Sequence, residues 1–122
     1  MLKGGKPVLA VSVAGGDMQD QTTLQMLLNV IDFDMSSDKA VTAPLFGTSH
    51  HLGSFRQLPP QLGNLLLHAD LVKSVGPDLT ARGHKIGPRE PKSNPVLLRI
   101  DPKTGVIHAA GDPRTRRHAA AY

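Results

Sequence analysis

The run Pro7-Val8-Leu9-Ala10-Val11-Ser12-Val13 is apolar with β-branched residues at 8, 11 and 13. It predicts a short strand buried on both faces, ending at Ala14-Gly15-Gly16. Beyond Asp17–Gln21 the period changes. Leu24, Leu27, Leu28 and Ile31 recur at i, i+3, i+4 and i+7, the spacing of one helix face, and Met26 and Val30 widen the stripe. Little of this helix is expected to meet water. Asp17 and Asp20 at its start suit the positive end of the helix dipole.

Further along, Ser36 or Ser37 is placed to cap a second, short helix running to about Ala43, where Pro44 stops it. Residues 44–63 show no period and predict a long loop, of the kind that is functional or draped over a partner surface. A strand is expected over Asn64–His68. Leu71, Val72, Val75 and Leu79 predict helix, cut at Gly76-Pro77, with a last short helix from Asp78 to Gly83. His84-Lys85-Ile86 reads as a weak strand. Val96–Ile100 and Val106–Ala110 read as a hairpin joined by Asp101-Pro102-Lys103-Thr104-Gly105, where Pro fixes one φ and Gly takes the left-handed position. The tail Asp112–Tyr122 is polar and basic, then alanine-rich.

Composition narrows the classes. The chain has 122 residues, enough for one domain at most. It has no cysteine, which excludes a disulfide scaffold, a thiolate metal site and a cysteine nucleophile. No apolar run approaches the roughly 18 residues of a membrane span, and residues 1–7 carry no secretory h-region. Twelve glycines and ten prolines against 3% aromatics make a thin core. A single incomplete domain over 1–122 is therefore expected. Residues 1–61 carry four basic and five acidic groups, whereas 62–122 carry ten and five. The basic groups are scattered, without interleaved aromatics to stack bases, so the basic half reads as a solvated face rather than a nucleic-acid surface.

Two clusters are candidates for chemistry. Gly15-Gly16 lies between a strand and a helix, where bare backbone and unpaired N–H groups suit an oxyanion or another anion. It is neither a dinucleotide fingerprint nor a P-loop. His50-His51 is the second, but no carboxylate ligand lies nearby in sequence and no metal site is assigned. Ser49 and Ser54 lack a nucleophile elbow. Asp112-Pro113-Arg114 is placed to form a buried carboxylate–guanidinium pair that ties down the tail.

The order and spacing of five blocks carry a resemblance. They are Val11-Ser12-Val13-Ala14-Gly15-Gly16; the helix Thr23–Phe33; Ala40-Val41-Thr42-Ala43-Pro44-Leu45-Phe46; Leu79 with Arg82-Gly83-His84-Lys85-Ile86 and the hairpin; and Ala109–Arg114 with the closing Ala119-Ala120-Ala121-Tyr122. Together they resemble the C-terminal part of the small subunit of the γ-glutamyltransferase family. The resemblance implies a partial αββα sandwich of the N-terminal-nucleophile hydrolases: an α/β fold with mostly antiparallel strands and two or three helices. It implies a γ-glutamyl substrate such as glutathione, an acyl-enzyme on an N-terminal threonine, and transfer to water or an amino acid. It implies no cofactor. Gly15 and Gly16 inherit the oxyanion-hole role. Relatives of this kind are typically exported.

The departures set the remaining expectations. The family commonly has Gly-Ser-Pro before the glycines, and this chain has Ser12-Val13-Ala14. Ser12 is thus the hydroxyl closest to the family position that holds the glutamyl carboxylate. The earliest threonine is Thr22, so the nucleophile and its α-amino base are not in place. The chain is expected to be inactive alone and to associate with a partner chain or with itself through open sheet edges. The alternative is a non-catalytic binding or structural module for a partner chain or an anionic ligand.

Overall fold

The computed structural model describes residues 1–55, 57–88 and 90–120. Of the closing block, Ala121 and Tyr122 lie outside the described residues. The chain begins with a hairpin that the hydrophobic pattern does not announce: β1 (Leu2–Lys3) pairs antiparallel with β2 (Lys6–Pro7). Gly4 and Gly5 turn it, both at positive φ (58° and 76°), as a two-residue hairpin loop demands. The Gly-Gly dipeptide was the available signal.

Next come β3 (Leu9–Ala14), a single 3-10 turn (Gly16–Met18), α1 (Gln19–Ile31) and α2 (Ser37–Thr42). β4 (Phe46–Gly47) and β5 (Asn64–Leu67) follow, then α3 (Ala69–Ala81), β6 (Lys85–Ile86), β7 (Asn94–Ile100) and β8 (Ile107–Gly111). A final 3-10 turn spans Pro113–Thr115. The main sheet has the order β3-β7-β8 and is antiparallel throughout. A second sheet, β4-β5-β6, is antiparallel between β4 and β5 and parallel between β5 and β6. The fold is thus mixed α/β with mostly antiparallel strands and three helices, as expected. The predicted hairpin is present, with Gly105 at φ 76°.

Both α1 and α2 pack on one face of the main sheet. Side chains alternate across a strand, so Leu9, Val11 and Val13 share that face with Pro95, Leu97 and Arg99. Here lies the core: Val8, Leu9, Met26, Val30, Ala40, Val41, Leu45 and Leu97. Met26 and Leu97 are fully buried, each contributing about 1.5–3 kcal/mol.

Two burial expectations fail, for one reason. β3 is buried on its helix face only, and Ala10 and Ser12 on the other face are exposed. In α1 the buried residues are Thr22, Gln25, Met26 and Val30, whereas Leu24, Leu28 and Ile31 are exposed. The period correctly groups residues that share a face. It does not say which face meets the sheet, and here the sheet takes the more polar one.

The third difference is at Gly76-Pro77, which does not cut α3. Proline removes only its own bond back one turn, and Gly76 is buried close to β6. A Cβ there would stand 3.3 Å from the Ile86 side chain. The helix stays whole because that packing holds it. His68, expected in strand β5, instead caps α3: its Nδ1 accepts from the Asp70 N–H at 3.3 Å.

Candidate functional site

The end of β3 and the start of α1 meet at Gly15-Gly16. Gly15 sits at φ 157°, ψ 23° and Gly16 at φ 58°, conformations that side chains rarely adopt. Space enforces the first glycine as well. A Cβ on Gly15 would lie 3.0 Å from the Lys92 carbonyl oxygen and from Cα and Cβ of Ser93. On Gly16 it would lie 3.3 Å from the Phe55 ring. Among the described residues, the N–H groups of Gly15 and Gly16 donate no loop, turn or side-chain hydrogen bond, while Met18 N–H donates to the Gly15 carbonyl at 3.2 Å. Among the described residues these two donors at the mouth of a helix thus have no such partner, and donors so placed suit an anion.

Gly16, but not Gly15, borders a concavity of about 360 Å³ also lined by Asp17, Gln19, Asp20, Gln21, His51, Ser54 and Phe55. Its wall is the long loop after β4. Asp17 holds that loop by accepting the Ser54 N–H at 3.2 Å on both carboxylate oxygens, with His51 Nε2 3.8 Å from Oδ2. Hydrogen bonding from Ser54 keeps the Asp17 carboxyl below its ordinary range, against partial desolvation, and His51 adds to the depression.

Helix α1 carries the rest of the support. Gln21 Nε2 donates to the Thr48 carbonyl at 2.9 Å and its Oε1 accepts the Thr48 N–H at 2.8 Å. One turn later Gln25 does the same to Phe46, at 2.7 and 3.1 Å. These two amides act as a surrogate neighbouring strand for β4. On the opposite flank, Thr22 Oγ1 donates to Ser93 Oγ at 2.9 Å, both residues buried. None of these three residues was singled out in the sequence, because polar residues on a helix read as solvent-facing.

The tail is anchored as expected. Asp112 is 2% exposed and accepts from Arg114 Nε at 3.0 Å and Nη2 at 2.8 Å. The Arg114 guanidinium is pushed above its ordinary value by this bond, against desolvation and with help from the Asp112 and Glu90 charges.

Other candidates separate from the turn. Ser12 sits on the exposed sheet face, away from the helix side. Val13 lies on the helix face and has no hydroxyl. His50 is exposed and lines no part of the concavity, whereas its neighbour His51 does. Among the described residues no group of three or more His, Asp or Glu is disposed to hold a metal ion, and no helix is long and apolar enough to cross a membrane.

Comparison with known proteins gives concordant matches. The family model for gamma-glutamyltranspeptidase matches residues 1–122. The glutathione hydrolase proenzyme of Escherichia coli (strain K12) is 30% identical over 119 residues, covering 94% of this chain and 18% of that protein. A variant of Helicobacter pylori gamma-glutamyltranspeptidase superposes with a TM-score of 0.71 at 29% identity, covering 93% of this chain and 57% of that one. The cephalosporin acylase from Bacillus halodurans superposes with a TM-score of 0.79 at 26% identity, covering 98% and 21%. The chain thus spans about a fifth of the full-length relatives.

Proposed function

Because the chain belongs to the gamma-glutamyltranspeptidase family, we propose that it supplies the oxyanion-stabilising turn for hydrolysis or transfer of a γ-glutamyl amide such as glutathione. It does so as an incomplete domain joined to the part of the enzyme that carries an N-terminal threonine. The carrying observation is the pair of N–H groups at Gly15 and Gly16, which among the described residues donate no loop, turn or side-chain hydrogen bond, on a turn packed close to Ser93 and Phe55.

In this reading the threonine hydroxyl of the complementing part attacks the γ-carbonyl, with its own α-amino group taking the proton. Negative charge builds on the carbonyl oxygen, and the two glycine N–H groups hold it. A fixed donor of this kind contributes about 10²–10³ in rate. Collapse expels the amine and leaves an ester, which water or an amino acid then resolves. Neither a threonine α-amine nor its hydroxyl is supplied by residues 1–122 in the position the chemistry needs. Val13, without a hydroxyl, leaves the acyl group less specified than in the family pattern.

The test is hydrolysis of a chromogenic γ-glutamyl anilide. The purified chain alone is expected to release no product above background. Mixed with, or fused behind, a threonine-bearing segment of a relative's small subunit, it is expected to turn over. Activity of the lone chain, or a reconstituted enzyme indifferent to Gly15→Ala, overturns the reading.

A further inference from the structure

We infer that the groove between the start of α2 and the β7–β8 hairpin binds a short zwitterionic peptide, its carboxylate on Lys103 and His108 and its ammonium on Asp38. The inference is independent of the proposed function, because it uses no residue of the glycine turn.

Register sets the groove. Arg99 and His108 stand directly opposite in the β7–β8 pair, two residues along from Leu97 and Ala110. By alternation all four lie on the face that carries the helices. Ser37, the first residue of α2, donates its Oγ proton to the His108 carbonyl at 3.1 Å. Beyond that contact the hairpin continues, leaving a concavity of about 750 Å³, within the range of small-molecule sites. Ser36 to Asp38 form one wall, the hairpin forms the other, and Ala119 of the tail also borders it.

Both walls are fixed by bonds of their own. Arg99 directs its guanidinium to the chain entering α2: Nη2 donates to Asp34 Oδ1 at 2.9 Å and Nη1 to the Met35 carbonyl at 3.5 Å. The hairpin loop closes on itself. Asp101 N–H donates to the Val106 carbonyl at 2.9 Å, and Gly105 N–H donates to the Asp101 carbonyl at 2.8 Å. Asp101 Oδ1 accepts the Lys103 N–H at 2.8 Å, which commits that carboxylate to its own loop.

The charges that remain are of both signs. Lys103 and Asp38 line the groove from opposite walls. Among the described residues neither forms an ion pair within 4.0 Å. His108 lines the hairpin side and is exposed, and its ring adds an N–H donor. A ligand of one sign would meet a like charge on one wall. A ligand with one charge of each sign meets a partner on both. Between them Ile100, Pro102 and Ile107 offer apolar surface, against which an uncharged middle can lie. A short peptide has this form, with amides between an ammonium and a carboxylate.

The experiment titrates the full chain at neutral pH with triglycine, N-acetyl-triglycine and triglycine amide, reading amide shifts at Asp38, Lys103 and His108. Triglycine is expected to bind at least about tenfold more tightly than either capped form, the loss that follows removal of one charge-assisted contact. Lys103→Gln should bring triglycine to the level of its amide while leaving the amide unchanged. Asp38→Asn should bring triglycine to the level of the acetylated form. Both side chains are exposed, so the melting temperature is expected to hold and a loss reads as binding. Equal affinity for the acetylated form makes this a simple anion site and overturns the inference. Equal affinity for the amide makes it a simple cation site and does the same. So do the absence of a saturable shift at these residues and variants that leave triglycine affinity unchanged.

Discussion

Thr22 Oγ1 donates to Ser93 Oγ at 2.9 Å in a fully buried contact. Ser93 is the residue against which Gly15 is packed. One hydrogen bond thus joins the first turn of α1, the start of β7 and the glycine turn. Thr22→Val keeps the shape and strands the Ser93 hydroxyl. We expect a loss of about 1–3 kcal/mol, read as a lower urea midpoint at unchanged slope. Adding Ser93→Ala should cost less than the sum of the single changes; strict additivity would show that the two hydroxyls are uncoupled.

The two glycines should respond differently. Gly15→Ala drives a Cβ to 3.0 Å from backbone atoms of Lys92 and Ser93, which have little room to yield. Gly16→Ala meets only the end of the exposed Phe55 ring, although φ 58° still adds strain. In a reconstituted enzyme kcat should fall about 10²-fold or more for Gly15→Ala, with KM changed less. The loss for Gly16→Ala should be smaller and partly relieved by Phe55→Ala.

Asp17 predicts a pH dependence in the acid range. Its carboxyl is held below the ordinary value by Ser54, then by His51. A depressed carboxylate contributes stability that is present above the unfolded-chain pKa, near about 4, and is lost as pH falls through the depressed folded value. The Ser54 amide should therefore lose exchange protection below that range. Asp17→Asn should remove this acid transition while leaving the remaining protection in place at neutral pH.

The tail anchor is testable by proteolysis. Asp112→Ala removes the acceptor for the Arg114 N–H and guanidinium. Trypsin cleavage after Arg116 and Arg117 should accelerate at least about tenfold as that local opening becomes cheaper. Arg114→Lys should give an intermediate rate, because an ammonium cannot reproduce the two-pronged contact.

Much of the element order was legible. The Asp-Pro-Lys-Thr-Gly loop, the proline limit of α2 and the strand–Gly-Gly–helix junction each rest on local backbone chemistry, and each appears where expected; Ser36 stands at the N-cap of α2, but its side chain makes no cap hydrogen bond. What escaped were side chains satisfying distant backbone. Gln21 and Gln25 complete β4 across 27 and 21 residues of sequence, and no local rule connects an amide to a loop that far away. The link between Gly15 and Ser93 was hidden for the same reason.

The sequence by itself determined where the chain turns, which residues share a face, and the blocks that mark its family. Those properties depend on φ preferences and on a repeat of a few residues. Only the tertiary structure decided what each face meets. Leu24, Leu28 and Ile31 form a coherent apolar stripe, yet α1 lays Thr22, Gln25, Met26 and Val30 against the sheet. Burial belongs to a pair of surfaces, and a period in one of them does not name its partner.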